Sequence, residues 1–450
     1  MSSPEGIVPK PSFESGLAPR QVLTISLLFI GYAGCYLCRS HLSVTMPLLI
    51  KELAQQGITP AQAKIHLGQI VSLGVVAYAA GKFFLAGSAD FWGGRRNFLG
   101  SMGGAVLFTM LFAMSGSLPL FTMAWLGNRL VQSVAWAGLV KVASRWFSYS
   151  SYGLVLAVLS LSFLFGDAGG RAFMGFLIRQ GMGWREVFYV AAGVLFVIFL
   201  LNLLLLSESR RQLGFSEPEP NPINLFKNTG ASQPGEQVVT DRPRSVREWL
   251  LPFLKSPAFL LVCGLSLGCT LVREAFNTWT PTYFHEGAGF SEGRAAELSS
   301  LFPFFGGVSA LLCGFLSDRL GAAGRSIVTC AGLAIATLAL LGLSARGGGV
   351  SPAITVVLVS IVAFGLLGPY SYLAGAFALD FGGKQGGAVS SGIIDSVGYI
   401  GAILAGDAVA RISVAFGWPA AFLSLGAVTA LSAAASAMLY RSQMRSALPA

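Results

Sequence analysis

The sequence predicts an all-α membrane protein with twelve transmembrane helices in two pseudo-symmetric six-helix halves. Three observations support this fold class: the composition, twelve apolar runs of bilayer-spanning length, and features that recur at a fixed offset. Hydrophobic residues make up 54% of the 450-residue chain and charged residues only 11%. Soluble domains contain about 25% charged residues, so a chain of this size with so few charges must use lipid as its solvent.

Twelve mostly apolar runs follow one another along the chain, each near the roughly 20 residues that a helix needs to cross a bilayer. They cover residues 22–46, 65–88, 97–116, 119–142, 152–177, 186–206, 256–283, 297–317, 325–344, 352–380, 386–413 and 419–440. Most connections are short, but the one after the sixth run is long, polar and rich in proline. We therefore expect an N-terminal half at 1–206, a cytoplasmic central loop at 207–252 and a C-terminal half at 253–450.

The distribution of Lys and Arg predicts the orientation of these spans. With the N-terminus in the cytoplasm, 17 of the 30 basic residues fall in cytoplasmic segments, 7 on the opposite side and 6 within spans. Cytoplasmic loops carry such an excess, so we expect both termini inside. The expected location is a plasma membrane, specifically a bacterial inner membrane. The bias explains most of the net charge of +10, so the expected partner is the lipid bilayer and no nucleic acid is expected.

Several features of the first half recur in the second. Arg39 and Arg273 lie inside apolar runs, and each precedes a proline by eight positions and the tryptophan of a Gly-Trp pair by 145 positions. The loops at residues 87–96 and 314–325 share glycines, an aspartate and trailing arginine. Together these matches indicate a duplication, with a binding site near mid-membrane where the two halves meet.

These motifs resemble those of a known superfamily. The two loops are similar to the signature loop of the major facilitator superfamily. More specifically, residues 31–47 resemble the first helix of the organophosphate:phosphate antiporter family, and residues 271–283 resemble its seventh helix. The resemblance implies a major facilitator fold and a transporter in which Arg39 and Arg273 hold the substrate phosphate.

Arg39 and Arg273 also suggest anion binding on physical grounds. Each charge at bilayer depth costs about 2.5–3.5 kcal/mol, and two such costs in corresponding helices call for a common explanation. Arg can grip a phosphate with two parallel hydrogen bonds, so a dianion between the two side chains would neutralise both. The alternative is that each Arg pairs with a carboxylate. Glu274 adjoins Arg273, but consecutive helical positions point about 100° apart, so we do not expect that pair.

Three further residues are candidates for the substrate site. Lys82 lies where the family pattern has a lysine, and it either adds a third cation or extends toward the cytoplasmic end of its helix. Tyr32 and Tyr36 precede Arg39 by about two turns and one turn. Their hydroxyls would donate to phosphate oxygens, or the rings would form a packing stripe.

Two carboxylates complete the candidate set. Asp167 is four positions from Arg171, so it either forms an intrahelical ion pair or serves as a cavity acid. Better-known family members have a histidine near this position, whereas here we expect His41 and His66 near span ends. Asp395 has no base within helical reach, which makes it a functional candidate. It would pair with a cavity cation in the empty carrier or recognise the organic part of the ligand.

The predicted function is exchange of a small organophosphate for inorganic phosphate by rocker-switch alternating access. Two alternatives stay open: a proton-coupled organic-anion symporter and a hexose-phosphate sensor that does not transport. The sequence has no metal-ligand spacing, nucleotide loop or nucleophile–His–acid set, so no cofactor and no enzymatic activity are expected. A monomer is expected, and the sequence does not select one organophosphate.

Overall fold

Helices account for all regular secondary structure in the residues that the computed structural model describes, which are 17–85, 88–216, 218, 246–320, 324–345 and 351–447. The first part of the chain forms α1 (Leu17–Gln55), α2 (Pro60–Leu85), α3 (Ser88–Trp92), α4 (Gly94–Met114), α5 (Leu118–Gln132), α6 (Ala135–Trp146), α7 (Tyr149–Arg179) and α8 (Trp184–Leu205). A 3-10 turn follows at Arg210–Leu213.

The second part of the chain begins with a short helix before the seventh span. It contains α9 (Val246–Lys255), α10 (Pro257–Glu286), α11 (Glu292–Ser299), α12 (Leu301–Arg319), α13 (Gly324–Ala345), α14 (Pro352–Tyr370) and α15 (Ala378–Ala447), with a π-helical turn at Leu373–Phe377 between the last two. Most of the predicted central loop lies outside the described residues.

The predicted twelve spans are confirmed as helical. Ten helices in the described part of the chain are long and apolar enough to cross a membrane. The fourth predicted span is not among these ten. It is divided into α5 and α6 at Ser133 and Val134, and each of the two helices is too short to cross a membrane alone. Ser133 packs tightly against Gly81 of α2, and its hydroxyl donates to the Leu130 carbonyl oxygen. The eleventh and twelfth spans both lie in α15.

Helix α15 reverses direction at Gly417, whose φ of +80° lies in the left-handed region that favours glycine. Before this point, the Ile394 and Ala405 carbonyl oxygens accept from Ser266 and Trp279, so this stretch runs parallel to α10. Beyond Gly417 the chain returns along α10 in the opposite direction. The predicted Gly-Trp repeat therefore marks a chain reversal in the second half.

Helix α1 is longer than the apolar run that predicted it, because it continues through Pro47 to residue 55. The expectation that His41 lies near a span end is therefore wrong. His41 is fully buried in the middle of α1, where its ring stacks on Phe188 at 3.9 Å and its Nε2 lies 3.2 Å from the Thr109 hydroxyl. The apolar run marks the membrane-crossing part of this helix, while the helix itself extends into polar sequence.

The spans form two groups, six from each part of the chain, that meet around a central space. The main contacts between the groups are α2 with α15, α7 with α11 and α12, and α1 with α10. Spans two and eight are equivalent in the sequence repeat, as are spans five and eleven, so the first two contacts are related by the pseudo-symmetry. We call the end where α1 begins the terminal end, and the opposite end, with connections 56–59, 180–183 and 287–291, the distal end.

Candidate anion-binding cavity

A cavity of about 460 Å³ lies between the two groups of helices. Spans one, two, four and five line it from one side, and spans seven, eight, ten and eleven line it from the other. The structure brings all seven sequence-predicted site residues to its wall: Tyr32, Tyr36, Arg39, Lys82, Asp167, Arg273 and Asp395.

Arg39 is held on α1 by neutral partners. Its Nε donates to the Gln132 amide oxygen at 3.1 Å, and its Nη1 donates to the Tyr36 hydroxyl at 3.0 Å. The guanidinium carbon also lies 4.8 Å from the centre of the Tyr78 ring. No carboxylate within the described ranges pairs with Arg39, so its positive charge is oriented but not neutralised.

Arg273, its counterpart on α10, has a carboxylate partner. Its Nε donates to the Glu274 carboxylate at 3.1 Å, a second guanidinium nitrogen bonds the same oxygen, and the group stacks on Tyr370 at 4.5 Å. The expectation that Glu274 points away from Arg273 is therefore wrong. Both side chains are long enough to bridge the angle between adjacent helical positions and meet in the cavity.

Lys82 and Asp395 join the two halves across the cavity. The Lys82 ammonium on α2 lies 3.4 Å from the Asp395 carboxylate on α15. It also faces the rings of Tyr78 and Tyr399 at 5.5 Å and 5.2 Å. Of the partners predicted for Asp395 in an empty carrier, the structure selects Lys82.

Asp167 and Arg171 form a buried ion pair within α7. Their Oδ1 and Nε atoms are 3.0 Å apart, and a second Arg171 nitrogen donates to the Asn277 carbonyl oxygen of α10 at 2.8 Å. Asp167 therefore lies at the cavity wall and is also paired, so the two predicted alternatives coexist. The pair ties the two halves together through Arg171.

The two predicted tyrosines on α1 combine packing with a polar contact. The Tyr32 ring meets Tyr36 edge-on at 5.7 Å and packs against Trp136 at 5.3 Å. The Tyr36 hydroxyl accepts from Arg39. These contacts place an aromatic wall beside the Arg39 guanidinium.

Sequence reasoning missed the cavity residues Tyr78, Trp136 and Tyr399. Two of them carried a usable signal. Tyr78 lies four positions before Lys82 and Tyr399 four positions after Asp395, which places each tyrosine on the same helical face as a predicted residue. Trp136 carried no comparable signal, because it lies in α6, beyond the break in the fourth span.

The cavity wall has more positive than negative groups. Among the described lining residues, five are basic and three are acidic, which gives a formal net charge of +2. The bases are Arg39, Lys82, Arg129, Arg171 and Arg273, and the acids are Asp167, Glu274 and Asp395. An anion with two negative charges would balance this wall.

Charged and aromatic side chains hold the two halves together at the distal end. The Lys64 ammonium of α2 lies 2.6 Å from the Glu286 carboxylate of α10 and 4.1 Å from the Trp418 ring, whose N–H donates to Glu286 at 3.0 Å. Arg179 of α7 pairs with Glu297 of α11 at 3.3 Å. These contacts form a polar seal above the cavity.

Glycines allow the backbones to approach closely at the same end. A Cβ atom on Gly68 would lie 2.8 Å from the Gly406 carbonyl oxygen, and one on Gly293 would lie 2.7 Å from the Arg179 backbone nitrogen. Small residues permit such close packing between membrane helices. The distal end is therefore closed by backbone contact as well as by side chains.

The exposure of the paired charges indicates which way the cavity opens. The Lys64 side chain at the distal end is 6% exposed, whereas Lys82, near the terminal end of the same helix, is 33% exposed. Their partners Glu286 and Asp395 are 34% and 40% exposed, so the difference lies in the two lysines. The cavity therefore opens toward the terminal end.

Comparison with known proteins gives matches over most of the chain. The Major Facilitator Superfamily matches residues 28–406. A "Probable hexose phosphate transport protein" of Chlamydia muridarum is 27% identical over 412 residues, covering 88% of this chain and 86% of that protein. A glycerol-3-phosphate transporter of Bacillus subtilis is 24% identical over 412 residues, covering 88% and 87%. Sugar phosphate exchanger 3 of Homo sapiens is 26% identical over 412 residues, covering 84% and 80%.

A solved structure has the same fold. The bacterial homolog to the human lysosomal transporter Spinster, in an inward-facing and occupied conformation, superposes with a TM-score of 0.72 at 14% sequence identity, over 94% of this chain and 97% of that chain. The sequence matches confirm the resemblance to the organophosphate:phosphate antiporter family seen in residues 31–47 and 271–283. This multi-pass membrane protein therefore belongs to the major facilitator superfamily.

Proposed function

We propose that this protein is a secondary active transporter that exchanges an organic phosphate for inorganic phosphate. The observation that carries the proposal is the net charge of +2 on the cavity wall, with arginines contributed by both halves. A phosphate monoester carries close to two negative charges at neutral pH. The relatives that transport hexose phosphate and glycerol-3-phosphate support the same substrate class.

The lining groups suit a phosphate linked to a small polar body. Guanidinium groups bind phosphate oxygens through paired hydrogen bonds, which assigns Arg39 and Arg273 to the phosphoryl group. Tyr32, Tyr36 and Lys82 surround the Arg39 side of the cavity. Asp395 and the nearby tyrosine rings would contact the hydroxyl-bearing part of a sugar or glycerol phosphate.

We propose rocker-switch alternating access as the mechanism, and the pseudo-symmetric architecture supports it. The distal end is sealed by contacts between the halves, so substrate enters from the terminal end. Unbalanced positive charge in a poorly solvated space is costly, and the empty carrier would resist closing over it. A bound dianion removes that cost, because ligand binding shifts the equilibrium toward the state it favours. The result is exchange of one phosphate compound for another.

The orientation is assigned from the loop charges. We place the terminal end in the cytoplasm, because 17 basic residues fall on that side against 7 on the other. The location would be a plasma membrane, with a bacterial inner membrane as the specific case. The proposed units are 1–206 and 253–450, with 207–252 as the cytoplasmic connection between them.

The test is exchange in proteoliposomes that contain the purified full-length chain. Vesicles loaded with inorganic phosphate should take up labelled glycerol 3-phosphate or hexose 6-phosphate, and a panel of esters would identify the preferred substrate. Arg39→Ala and Arg273→Ala should each abolish this uptake. Lys51→Gln, which removes a positive charge from an exposed distal position, is the matched control. Near-normal exchange by either arginine variant would overturn the assignment.

Proton-coupled uptake of an organic anion is the second candidate, because three carboxylates line the cavity. In that case uptake would depend on an inward proton gradient and would be indifferent to phosphate inside the vesicle. Exchange predicts the opposite: uptake requires internal phosphate and persists when an ionophore removes the proton gradient. The same two vesicle preparations therefore separate the mechanisms.

A further inference from the structure

Arg129, in the last turn of α5, is a cavity cation to which neither the proposed mechanism nor the comparisons assign a role. Its guanidinium carbon lies 4.9 Å from the centre of the Tyr78 ring and 5.6 Å from that of Trp125. Its buried Nε has no hydrogen-bond acceptor among the described residues, and neither does the Trp125 indole nitrogen one turn earlier. Two neighbouring N–H donors on the cavity wall therefore lack an acceptor.

The cavity cations differ in how they are neutralised. Lys82, Arg171 and Arg273 each pair with a carboxylate. Arg39 and Arg129 form no ion pair with any residue that the structure describes. The net charge of +2 thus resides on these two side chains, which both belong to the N-terminal half.

Arg39 and Arg129 also contact the same aromatic ring. Their guanidinium carbons are 4.8 Å and 4.9 Å from the centre of the Tyr78 ring, so the two carbons are less than 10 Å apart. The Glu274 carboxylate lines the same cavity, but it accepts its hydrogen bonds from Arg273. Two like charges on one cavity wall, both partly buried and one with an unused N–H donor, favour an anion nearby, because removing a charge from water without a partner is costly.

We propose that Arg129 is a substrate-contacting residue that forms, with Arg39, the initial binding site for the phosphoryl dianion on the N-terminal half. The anion first binds to these two arginines while Glu274 remains paired with Arg273. Arg273 then contacts the anion when the halves close. The inference rests on the proposed function and adds a specificity rule to it. Two unpaired guanidinium groups favour a dianionic phosphomonoester over a monoanionic phosphodiester of similar shape.

The test compares two competitors of inorganic phosphate exchange in proteoliposomes. Glycerol 3-phosphate supplies the monoester, and its methyl ester on phosphorus supplies the matched diester. Loss of one hydrogen bond to a charged group lowers the binding affinity by roughly tenfold to a hundredfold. The wild type and the Lys51→Gln control should prefer the monoester, and Arg129→Gln should reduce this preference by about tenfold or more.

The outcomes separate this inference from the proposed function. Wild-type exchange that is lost in Arg39→Ala, together with an unchanged monoester preference in Arg129→Gln, overturns the role of Arg129 alone. A wild-type protein without phosphate exchange overturns both proposals. Where Arg129→Gln does not fold, Arg129→Lys is the variant that tests the inference. It keeps the positive charge and should retain the monoester preference with weaker binding. Loss of the preference in a folded Arg129→Lys protein contradicts the charge-based rule.

Discussion

Lys82 on α2 and Asp395 on α15 form an ion pair of 3.4 Å that connects the two halves of the protein across the cavity. Both side chains are about one-third exposed or more, and pairs of this kind contribute about 0–1 kcal/mol to stability. In the proposed mechanism a weak connection is suited to this position, because Lys82 can leave Asp395 when an anion enters the cavity. The pair therefore adjusts the charge of the cavity more than it stabilises the fold.

Removing the carboxylate of this pair should increase phosphate affinity. Asp395→Asn raises the formal net charge of the cavity wall from +2 to +3 and leaves the Lys82 ammonium free to bind an anion. We expect the KM for inorganic phosphate in the exchange assay to fall by about two- to fivefold, equivalent to a pair energy below about 1 kcal/mol. The Tm should stay within a few degrees of the wild-type value.

Lys82→Met provides the complementary measurement. It should raise the same KM, because a cation near the phosphate is lost while Asp395 adds uncompensated negative charge. If Asp395→Asn instead raised the KM for an organic phosphate but not for inorganic phosphate, Asp395 would be a contact for the organic part of the substrate and not a counterion.

Glu274 should act as an internal competitor of the substrate for Arg273. The ion pair of Glu274 with Arg273 is partly buried, with side chains 17% and 25% exposed, so Glu274→Gln should lower the Tm in the absence of ligand. Inorganic phosphate can then occupy the vacant position beside Arg273. We expect phosphate to raise the Tm of Glu274→Gln more than that of the wild type, as measured by thermal unfolding in detergent.

The control for this prediction is Glu292→Gln, which removes a carboxylate from the first turn of α11 at the distal end. Its phosphate-induced change in Tm should match the wild type. An equal response to phosphate in Glu274→Gln and the wild type would mean that the carboxylate does not compete with the anion.

The pair formed by Asp167 and Arg171 should prove mainly structural. Arg171→Met leaves the Asp167 carboxylate buried without its cation, and we expect it to lower the free energy of unfolding by about 3–5 kcal/mol. Replacing both residues in Asp167→Asn/Arg171→Met removes both charges and should recover much of that loss. A double-mutant cycle of Tm values measures this coupling.

Phosphate exchange by the double variant tests the other possibility for Asp167. Retained exchange fits a pair that positions α7 against Asn277 of α10. A double variant that is as stable as the wild type yet cannot exchange phosphate would show that Asp167 contacts the substrate or takes up a proton.

The sequence was sufficient to predict the spans and seven residues of the cavity wall. Hydrophobic length is a local property, and the duplicated spacing of Arg39 and Arg273 placed them in equivalent helices. Helical periodicity would also have identified Tyr78 and Tyr399, each four residues from a predicted charge. These inferences succeed because they depend on neighbours along the chain.

Features that depend on neighbours in space were not predictable in the same way. The pairing of Arg273 with Glu274 depends on the conformations of their side chains within the cavity. Whether Arg129 forms an ion pair depends on which carboxylates lie within its reach. Ser133, at the break after Gln132, packs closely against Gly81 of another helix. No single helix carries enough information to specify such contacts.

Closure of the distal end should depend on the small size of Gly68. A side chain there would meet the Gly406 carbonyl oxygen and the Ala410 Cβ at 2.8 Å and 2.9 Å, so Gly68→Leu should force α2 and α15 apart. We expect a cysteine introduced at Ser160 on the cavity wall to become reactive toward a membrane-impermeant thiol reagent added on the distal side of sealed vesicles. Exchange should slow, because the distal end no longer closes.

Gly193→Leu is the matched control, since a Cβ atom on that exposed glycine of α8 meets nothing within 4 Å. It adds the same volume to a membrane helix without touching the contact between the halves, so labelling at Ser160→Cys should stay confined to the terminal side. Equal distal labelling in both leucine variants would show that added bulk perturbs the bundle in general. Labelling that increases in neither would mean that the contact between Gly68 and Gly406 does not control access, and that the ion pair between Lys64 and Glu286 is enough to close this end.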